Sequence, residues 1–442
     1  MAQTYLTKTF SSSGNLDVWT VSFWVKKSLI ETGSDQYVMH AQTDADNQTG
    51  IVLRGSGDNY QLQCFNAVSA SANNGFNVYT SRYFRDASAW YHIVVACDTT
   101  ESSGSNGLKI YVNGTQQSVT VGAWNQNVDT QFSKNQQHVV GAKTGNSLGF
   151  SGYLSQFIFA NGTQYAASTF GSTNANGIWV PNTSPSVTYG TNGFKLDYTG
   201  TGTSADSSGF GADTSGNNNH FASTSLGTNP STTDTPQNIF SVMNPLNIFP
   251  NTTPIITDGA LKTQSQSTSG AALCSTIAVS AGKWYAEGKI GSGATLEVGA
   301  VDIGSDSFTE RGTQDNSVGY DYGGNIRVNN SNTQTGLSTY TGGDIIGIAL
   351  NMDTATGTVT FYKNGSAVGS AQNFTTSKPN AAAFYMQSHT SSGNQSVEWN
   401  YGNPTFAISS SNADANGEGS FEYAVPSGYY ALCTNNLALY GG

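Results

Sequence analysis

The chain has 442 residues with a formal net charge of −11, and only 10% of its residues are charged. Aromatic residues make up 11% of the chain, which excludes a disordered polymer. Basic clusters are absent, and this excludes a nucleic-acid partner and a polybasic membrane anchor.

Alternating apolar residues predict short strands in the first part of the chain. Residues 18–26 place Trp19, Val21 and Phe23 on one face of a strand and polar residues on the other. Residues 90–97 are apolar on both faces, as expected of a central strand that is covered on each side. Further strands are predicted at residues 36–39, 50–54, 60–65, 108–112 and 156–160.

Turn signals follow two of these strands. Asn113-Gly114 predicts a tight hairpin, because both central residues of a type I′ turn need positive φ. Asn161-Gly162 repeats the dipeptide after residues 156–160. Helical patterns are nearly absent, and one short helical turn is predicted near residues 166–170.

The amino-acid composition changes between residues 181 and 255, which hold seven of the ten prolines. Proline concentrated in this way predicts a Pro/Gly/Ser-rich connector, because proline lacks the backbone N–H that donates a hydrogen bond within a central strand. Strand patterns resume at residues 282–290, 295–302, 344–352, 358–363, 382–386 and 396–401. Asn364-Gly365 ends one of them just as Asn113-Gly114 does, which predicts two copies of one architecture.

Three motifs in the first part resemble the laminin-G/concanavalin-A-like module. They are Thr-Val-Ser-Phe-Trp-Val-Lys at 20–26, Ala-Trp-Tyr-His-Ile-Val-Val-Ala-Cys-Asp at 89–98 and Leu-Lys-Ile-Tyr-Val-Asn-Gly at 108–114. Residues 282–290, 298–302 and 344–365 resemble strands of the SPRY domain. The resemblance implies an all-β chain of two concanavalin-A-like antiparallel β-sandwich (jelly-roll) domains, at residues 1–187 and 256–442. A connector with a short β-hairpin at 188–255 joins them.

The motif order also resembles that of predicted structural proteins of marine and cyanobacterial tailed phages. The matching segments are residues 84–100, 189–198, 234–238 and 244–246. This resemblance implies an exposed virion protein, made in the host cytoplasm, that serves as a capsid or tail appendage, fibre or decoration subunit. Its expected partners are other virion proteins, further copies of itself and a host-surface glycan. One alternative is a capsid cement protein without a ligand, and a less favoured one is a glycan depolymerase.

Catalytic signals are sparse, and the chain is predicted not to be an enzyme. Gly145-Asn146-Ser147-Leu148-Gly149 matches the nucleophile-elbow pattern, but no helix pattern follows it. None of the eight glutamates lies two residues from another acid within a strand. Glu287 and Glu398 are the candidates for a depolymerase, which would need a pair of carboxylates across a cleft. His92 is predicted to be a core histidine.

Sugar binding would use aromatic side chains in loops, because rings stack on sugar faces. The predicted carbohydrate-binding residues are Trp124, Tyr79, Tyr83 and Tyr340. No cofactor is expected apart from calcium, for which Asp44, Asp46 and Asn47 offer the hard oxygen ligands that Ca²⁺ prefers. The four cysteines form no metal-binding pair and are predicted to be buried thiols.

Overall fold

The computed structural model forms two compact units, Met1–Ser231 (unit 1) and Thr232–Gly442 (unit 2). It describes residues 3–28, 33–56, 59–227, 230–248, 254–265, 271–291, 296–304, 316–329, 331–374, 379–388 and 395–441.

The regular secondary structure of unit 1 consists almost entirely of strands. In chain order these are β1 (Tyr5–Thr9), β2 (Val18–Lys27), β3 (Gln36–Gln42), β4 (Gln48–Ser56), β5 (Asn59–Val68), β6 (Ser71–Tyr83), β7 (Tyr91–Asp98), β8 (Leu108–Val112), β9 (Thr115–Gln116), β10 (Val119–Trp124), β11 (Gln137–Val140), β12 (Gly152–Asn161), β13 (Gly171–Thr173), β14 (Trp179–Pro181), β15 (Phe194–Leu196) and β16 (Ala222–Thr224). A single helical turn, α1 (Gly104–Gly107), precedes β8, and a 3₁₀ turn occupies Ala167–Thr169.

Two antiparallel sheets enclose the core of unit 1. Sheet A has the order β10-β6-β5-β4-β3-β11-β1-β16, and sheet B has the order β15-β12-β2-β7-β8-β9. Side chains alternate across each strand, so that one face of each sheet points into the shared core. The largest side chain in this core is Trp19, which packs edge-on against Phe132 and is fully buried.

The other face of sheet B is also covered. Phe170 and Trp179, from the segment that follows β12, pack against Val94 and Ala96 of β7. This cover explains why the strand around residues 90–97 is apolar on both sides. The predicted helical turn near residues 166–170 is the 3₁₀ turn Ala167–Thr169.

The structure divides the segment predicted as a connector between the two units. Phe194 of β15 and Phe221, just before β16, lie in the core of unit 1 with ring centroids 4.6 Å apart. Asp213 fixes the turn between them by accepting hydrogen bonds from the backbone N–H groups of Lys195, Ser215 and Asn219. Residues 188–231 therefore form part of the first sandwich, and Thr232 begins unit 2.

Unit 2 is a second sandwich. Its strands are β17 (Met243–Ile248), β18 (Ile255–Thr257), β19 (Lys262–Gln264), β20 (Ala272–Ser275), β21 (Lys283–Ile290), β22 (Leu296–Asp302), β23 (Ser317–Asp321), β24 (Ile326–Val328), β25 (Ser331–Gln334), β26 (Ile345–Asn351), β27 (Thr358–Lys363), β28 (Ser366–Asn373), β29 (Ala382–Ser388), β30 (Ser396–Asn400) and β31 (Tyr430–Ala431). A short helix, α2 (Thr434–Tyr440), follows.

Sheet C has the order β17-β20-β29-β22-β23-β24-β25, and sheet D has the order β18-β19-β30-β21-β26-β27-β28 with β31 beside β21. The segment after β30 covers the outside of sheet D, where Phe421 packs on Tyr285. Both units are thus antiparallel β-sandwiches, and the predicted all-β fold is confirmed.

The hairpins at Asn113-Gly114 and Asn364-Gly365 are also confirmed, and they join β8 to β9 and β27 to β28. All four cysteines are buried free thiols, as predicted. Within the described part of the chain, neither helix has the length and apolarity needed to cross a bilayer.

Candidate functional site

The outward-pointing side of sheet A, called the outer face below, carries aromatic and amide side chains in aligned rows. Residues directly opposite each other on paired strands share a face, so the strand register defines these rows. The first row is Tyr37, Val52, Gln63, Tyr79 and Thr120. The second row is His40, Gly50, Phe65, Asn77 and Ala123. A shorter third row consists of Arg54, Gln61 and Tyr83.

Aromatic rings occupy the middle of the outer face. Phe65 and Tyr79 are half-buried, so each ring keeps some contact with solvent. Phe65 lies against β4 at Gly50, where an added Cβ would come within 2.6 Å of its Cε1 atom. Tyr37 packs edge-on against Phe65 with ring centroids 6.3 Å apart. Gly50 therefore allows the Phe65 ring to lie close to the sheet.

Amide side chains lie between the rings. Gln63 Nε2 donates to Asn77 Oδ1 at 2.6 Å, which orients both side chains. Among the described residues, neither Gln63 Oε1 nor Asn77 Nδ2 makes a hydrogen bond to protein. A planar acceptor and a planar donor thus stand beside the rings of Phe65 and Tyr79. This combination can stack on a sugar ring and hydrogen-bond its hydroxyl groups.

The loop at residues 141–150 borders the outer face along β3. Tyr37 N–H donates to Leu148 O at 3.0 Å, and the Lys143 ammonium lies 5.7 Å from the Tyr37 ring centroid. Burial and, to a smaller extent, Asp35 raise the pKa of Tyr37 to about 12, while Arg54 opposes the shift. The Tyr37 hydroxyl therefore stays protonated at neutral pH.

Two of the four predicted sugar-binding residues lie on the outer face. Tyr79 is in its first row, and Tyr83, 42% exposed, is in its third row. Trp124 is not on this face, because it pairs with the core-facing Phe76 and packs against its ring at 5.4 Å. Its indole N–H donates to Glu101 O, and Gly107 lies close against its ring. Trp124 therefore packs at the sandwich rim, and the structure does not bring it to Tyr79.

Tyr340 belongs to unit 2 and is only 1% exposed. Its hydroxyl donates within the protein, with Leu296 O at 2.6 Å and Tyr320 O at 3.0 Å. A ring buried in this way has no open face for a sugar, so Tyr340 cannot stack on one as predicted.

The predicted calcium ligands form a tight turn. Asp44 Oδ1 accepts hydrogen bonds from the backbone N–H groups of Asp46 and Asn47 and from Asn47 Nδ2. Asn47 Oδ1 in turn accepts from Ser69 N–H. The loop thus uses these oxygens for its own hydrogen bonds, and no cluster of three metal-ligating His, Cys, Asp or Glu side chains occurs among the described residues.

The candidate catalytic carboxylates have structural partners. Glu287 is fully buried and accepts hydrogen bonds from the backbone N–H groups of Glu422 and Tyr423. These two hydrogen bonds anchor the C-terminal segment to β21. Glu398 forms an ion pair with Lys262 at 2.8 Å. Ser147 of the nucleophile-elbow pattern lies in an exposed turn that leads into β12, not into a helix.

The buried His92–Ser22 pair has the wrong proton arrangement for a nucleophile and its base. Trp179 Nε1, which can only donate, is 3.0 Å from His92 Nδ1, so Nδ1 must be the acceptor. His92 Nε2 then carries the proton and donates to Ser22 Oγ at 3.0 Å. His92 is a core histidine, as predicted.

Sequence reasoning missed Phe65, Gln63, Asn77 and Arg54. Sugar binding predicts aromatic residues in loops, whereas these four lie within strands β4, β5 and β6. Their placement on one face follows from the register between strands, which a single sequence does not state.

Residues 3–168 match the family model described as the concanavalin A-like lectin/glucanases superfamily. Residues 283–404 match the model of the SPRY domain. A search of the curated proteins found no match.

Among solved structures, the SPRY domain of human HERC1 is 20% identical with a TM-score of 0.31, over 36% of this chain and 96% of that one. The TRIM65 PSpry domain is 13% identical with a TM-score of 0.28, over 36% and 91%. The native heptameric SAP-like pentraxin from Limulus polyphemus is 16% identical with a TM-score of 0.28, over 42% and 95%. On the two family matches, unit 1 carries a concanavalin A-like domain and unit 2 carries a SPRY domain.

Proposed function

We propose that this chain is an exposed structural protein of a tailed-phage virion that binds host-surface glycans through the outer face of sheet A. The observation that carries the binding proposal is the pairing of half-buried rings, Phe65 and Tyr79, with the oriented amides of Gln63 and Asn77. The concanavalin A-like family of unit 1 includes lectins, and this supports a carbohydrate as the ligand. The virion setting rests on the sequence motifs that resemble those of phage structural proteins.

Adhesion of this kind needs a rigid sheet and no reacting group. The outer face lies on five adjacent strands. The backbone hydrogen bonds between these strands fix the positions from which its side chains project. Rigid presentation lowers the entropy that a ligand must overcome on binding. The particle would supply many copies, and multivalency would raise the overall affinity without new contacts.

A glycan array tests this proposal, with the full chain applied in the presence and absence of calcium. We expect binding that falls at least about 5-fold in Tyr79→Ala and Phe65→Ala, because stacking on a ring contributes about 1–3 kcal/mol by analogy with base stacking. Trp124→Phe is the matched aromatic control and should leave binding unchanged, since Trp124 lies off the outer face. Binding that Tyr79→Ala and Phe65→Ala leave intact would place the glycan elsewhere.

The cement alternative predicts a different pair of results. A cement protein would occupy fixed capsid positions in stoichiometric copies and would bind nothing on the array. Cryo-EM of the intact particle distinguishes the two, because it reveals whether the outer face of sheet A points to solvent or is buried against a neighbouring virion protein.

The depolymerase alternative is tested on the same polymers by the release of reducing ends. Glu398→Gln would abolish that release if Glu398 were catalytic. We expect no release from the unmodified chain, because Glu287 holds backbone N–H groups and Glu398 is paired with Lys262.

A further inference from the structure

The third row of the outer face differs from the other two because it carries positive charge. The chain has five arginines, and three of them, Arg54, Arg82 and Arg85, fall between residues 54 and 85. Arg54 lies in the third row opposite Gln61, and Gln61 lies opposite Tyr83. The Arg85 guanidinium lies 4.9 Å from the centroid of the Tyr83 ring. Two guanidinium groups therefore flank Gln61 and Tyr83, in a chain whose net charge is −11.

An acidic residue, Asp35, also lies near this end of the outer face. Asp35 and Arg54 shift the pKa of Tyr37 in opposite directions, with Asp35 raising it and Arg54 lowering it. Asp35 Oδ1 accepts the N–H of Gly55 at 3.1 Å. Within the ranges that the structure describes, no carboxylate lies within ion-pair distance of Arg54. The Arg54 charge is thus held beside a candidate binding surface without a neutralising partner among those residues.

We propose that this end of the outer face recognises an anionic group, so that the ligand is an acidic glycan. The inference rests on the proposed glycan binding. A guanidinium group presents a planar pair of donors that matches the oxygens of a carboxylate or a sulfate. Along β4 and β5 the third row is two residues, or about 7 Å, from the first row. Tyr79 on β6 and Arg54 on β4 are also two strands, or about 10 Å, apart across the sheet. It is therefore the next sugar of a chain stacked on Tyr79 that can present its acidic substituent to Arg54.

Two pairs of polymers separate the anion from the sugar. Polygalacturonate and its fully methyl-esterified form share a backbone and differ in charged carboxylates. Kappa-carrageenan and its desulfated form differ in sulfate in the same way. We expect the full chain to bind at least one acidic polymer about 10-fold more tightly than its neutral counterpart, with a preference that weakens as salt increases. The polymer pair that shows the preference identifies the anion.

Matched variants locate the effect. Arg54→Gln should reduce the preference for the acidic polymer to within about 2-fold, by weakening binding to the acidic member of the pair. Lys134→Gln removes the same charge from a loop outside the outer face and should leave the preference intact. Tyr79→Ala should weaken binding to both members of a pair, because it removes the stacking ring. Unfolding midpoints equal to that of the unmodified chain establish that each variant is folded.

Several outcomes overturn the inference. An Arg54→Gln protein with an unchanged preference would exclude Arg54 as the anion-recognising group. Tyr79-dependent binding without any preference would remove the acidic ligand and leave the proposed glycan binding standing. Binding to neither acidic polymer would also reject the acidic ligand, whereas the glycan proposal itself is decided by the array.

Discussion

Three histidines of unit 1 are buried in hydrogen-bond networks that require the neutral ring. Thr144 N–H donates to His40 Nδ1, Trp179 Nε1 donates to His92 Nδ1, and Ser133 N–H donates to His138 Nε2. In each ring one nitrogen is therefore an acceptor, and it would meet the facing donor if it were protonated. Burial is the main reason that the pKa falls, to about 4 for His40, about 3 for His92 and about 4 for His138.

These shifts predict that unit 1 loses stability in mild acid. In the unfolded chain each histidine binds a proton as the pH falls below about 6.5, whereas in the folded protein it does not until about pH 4 or below. The contribution of these histidines to the free energy of unfolding should therefore be fully present above pH 6.5. It should decrease as the pH falls from about 6.5 to 4. A difference of 2.5 pKa units corresponds to roughly 3 kcal/mol for one histidine. Urea unfolding at pH 7, 6, 5 and 4.5 measures this decrease.

A single substitution tests whether the titration of histidines, and not of carboxylates, causes the loss of stability in acid. His40→Gln keeps a donor toward Gln48 Oε1 and an acceptor toward Thr144, and it does not titrate. Its unfolding free energy should depend less on pH between 6.5 and 4.5 than that of the unmodified chain. An identical pH dependence would assign the acid sensitivity to other groups.

At the scale of elements, the two sandwiches use the same device to close a hairpin. Asn113 and Asn364 adopt positive φ angles of 46° and 48°. Asn113 donates its N–H to His92 O and accepts the His92 N–H through Oδ1. Asn364 does the same with Ile345. The similarity between the two halves of the sequence therefore corresponds to a repeated set of hydrogen bonds, which connects each turn to the adjacent strand of the sheet, β7 or β26.

Substitutions at Asn113 and Asn364 separate the side-chain bond from the backbone conformation. Glycine accepts positive φ and loses only the side-chain hydrogen bond, so Asn113→Gly and Asn364→Gly should cost about 1 kcal/mol each. Alanine also strains the left-handed backbone, so Asn113→Ala and Asn364→Ala should cost about 1 kcal/mol more. Urea unfolding gives these values, and equal losses for glycine and alanine would show that the backbone conformation is not limiting.

Strands that are covered on both faces were predictable, whereas a strand with a polar, turn-like sequence was not. Residues 90–97 and 344–352 form β7 and β26 within a residue or two, because a continuous apolar run is stable only in a strand that is buried on both faces. The longest strand, β6, begins with Ser-Ala-Asn-Asn-Gly, which is typical of a turn. Pairing with β5 and β10 gives that polar segment its strand conformation. Tertiary hydrogen bonds thus override local propensity there.

The candidate site was only partly predictable for a related reason. Tyr79 and Tyr83 could be selected as aromatic residues, but their neighbours Gln63 and Gln61 come from another strand and depend on a register that contains irregularities. The composition of a sheet face follows from that register, and shifting one strand by a single residue would turn all of its side chains to the opposite face.

At the scale of the whole molecule, each unit has its own core, and the N-terminal core extends beyond the predicted boundary at residue 187. Phe194, Leu196 and Phe221 have no measurable exposure and pack into the core of unit 1. Phe194 contacts both Phe157 and Phe159 of β12. A fragment of residues 1–187 lacks these side chains and both strands, β15 and β16, that complete the sheets.

We therefore expect the fragment 1–231 to fold and bind the same polymers as the full chain, and the fragment 1–187 to fail. Removing one buried phenylalanine costs about 3–5 kcal/mol, so two such losses alone equal about 6–10 kcal/mol. Domains are commonly stable by only about 5–15 kcal/mol, and the lost strands add to the deficit. Cooperative thermal unfolding and amide exchange of the two fragments measure the difference. If the fragment 1–187 unfolds as cooperatively as the fragment 1–231, the segment from 188 to 231 only packs onto a sandwich that folds without it, and the domain boundary lies at residue 187.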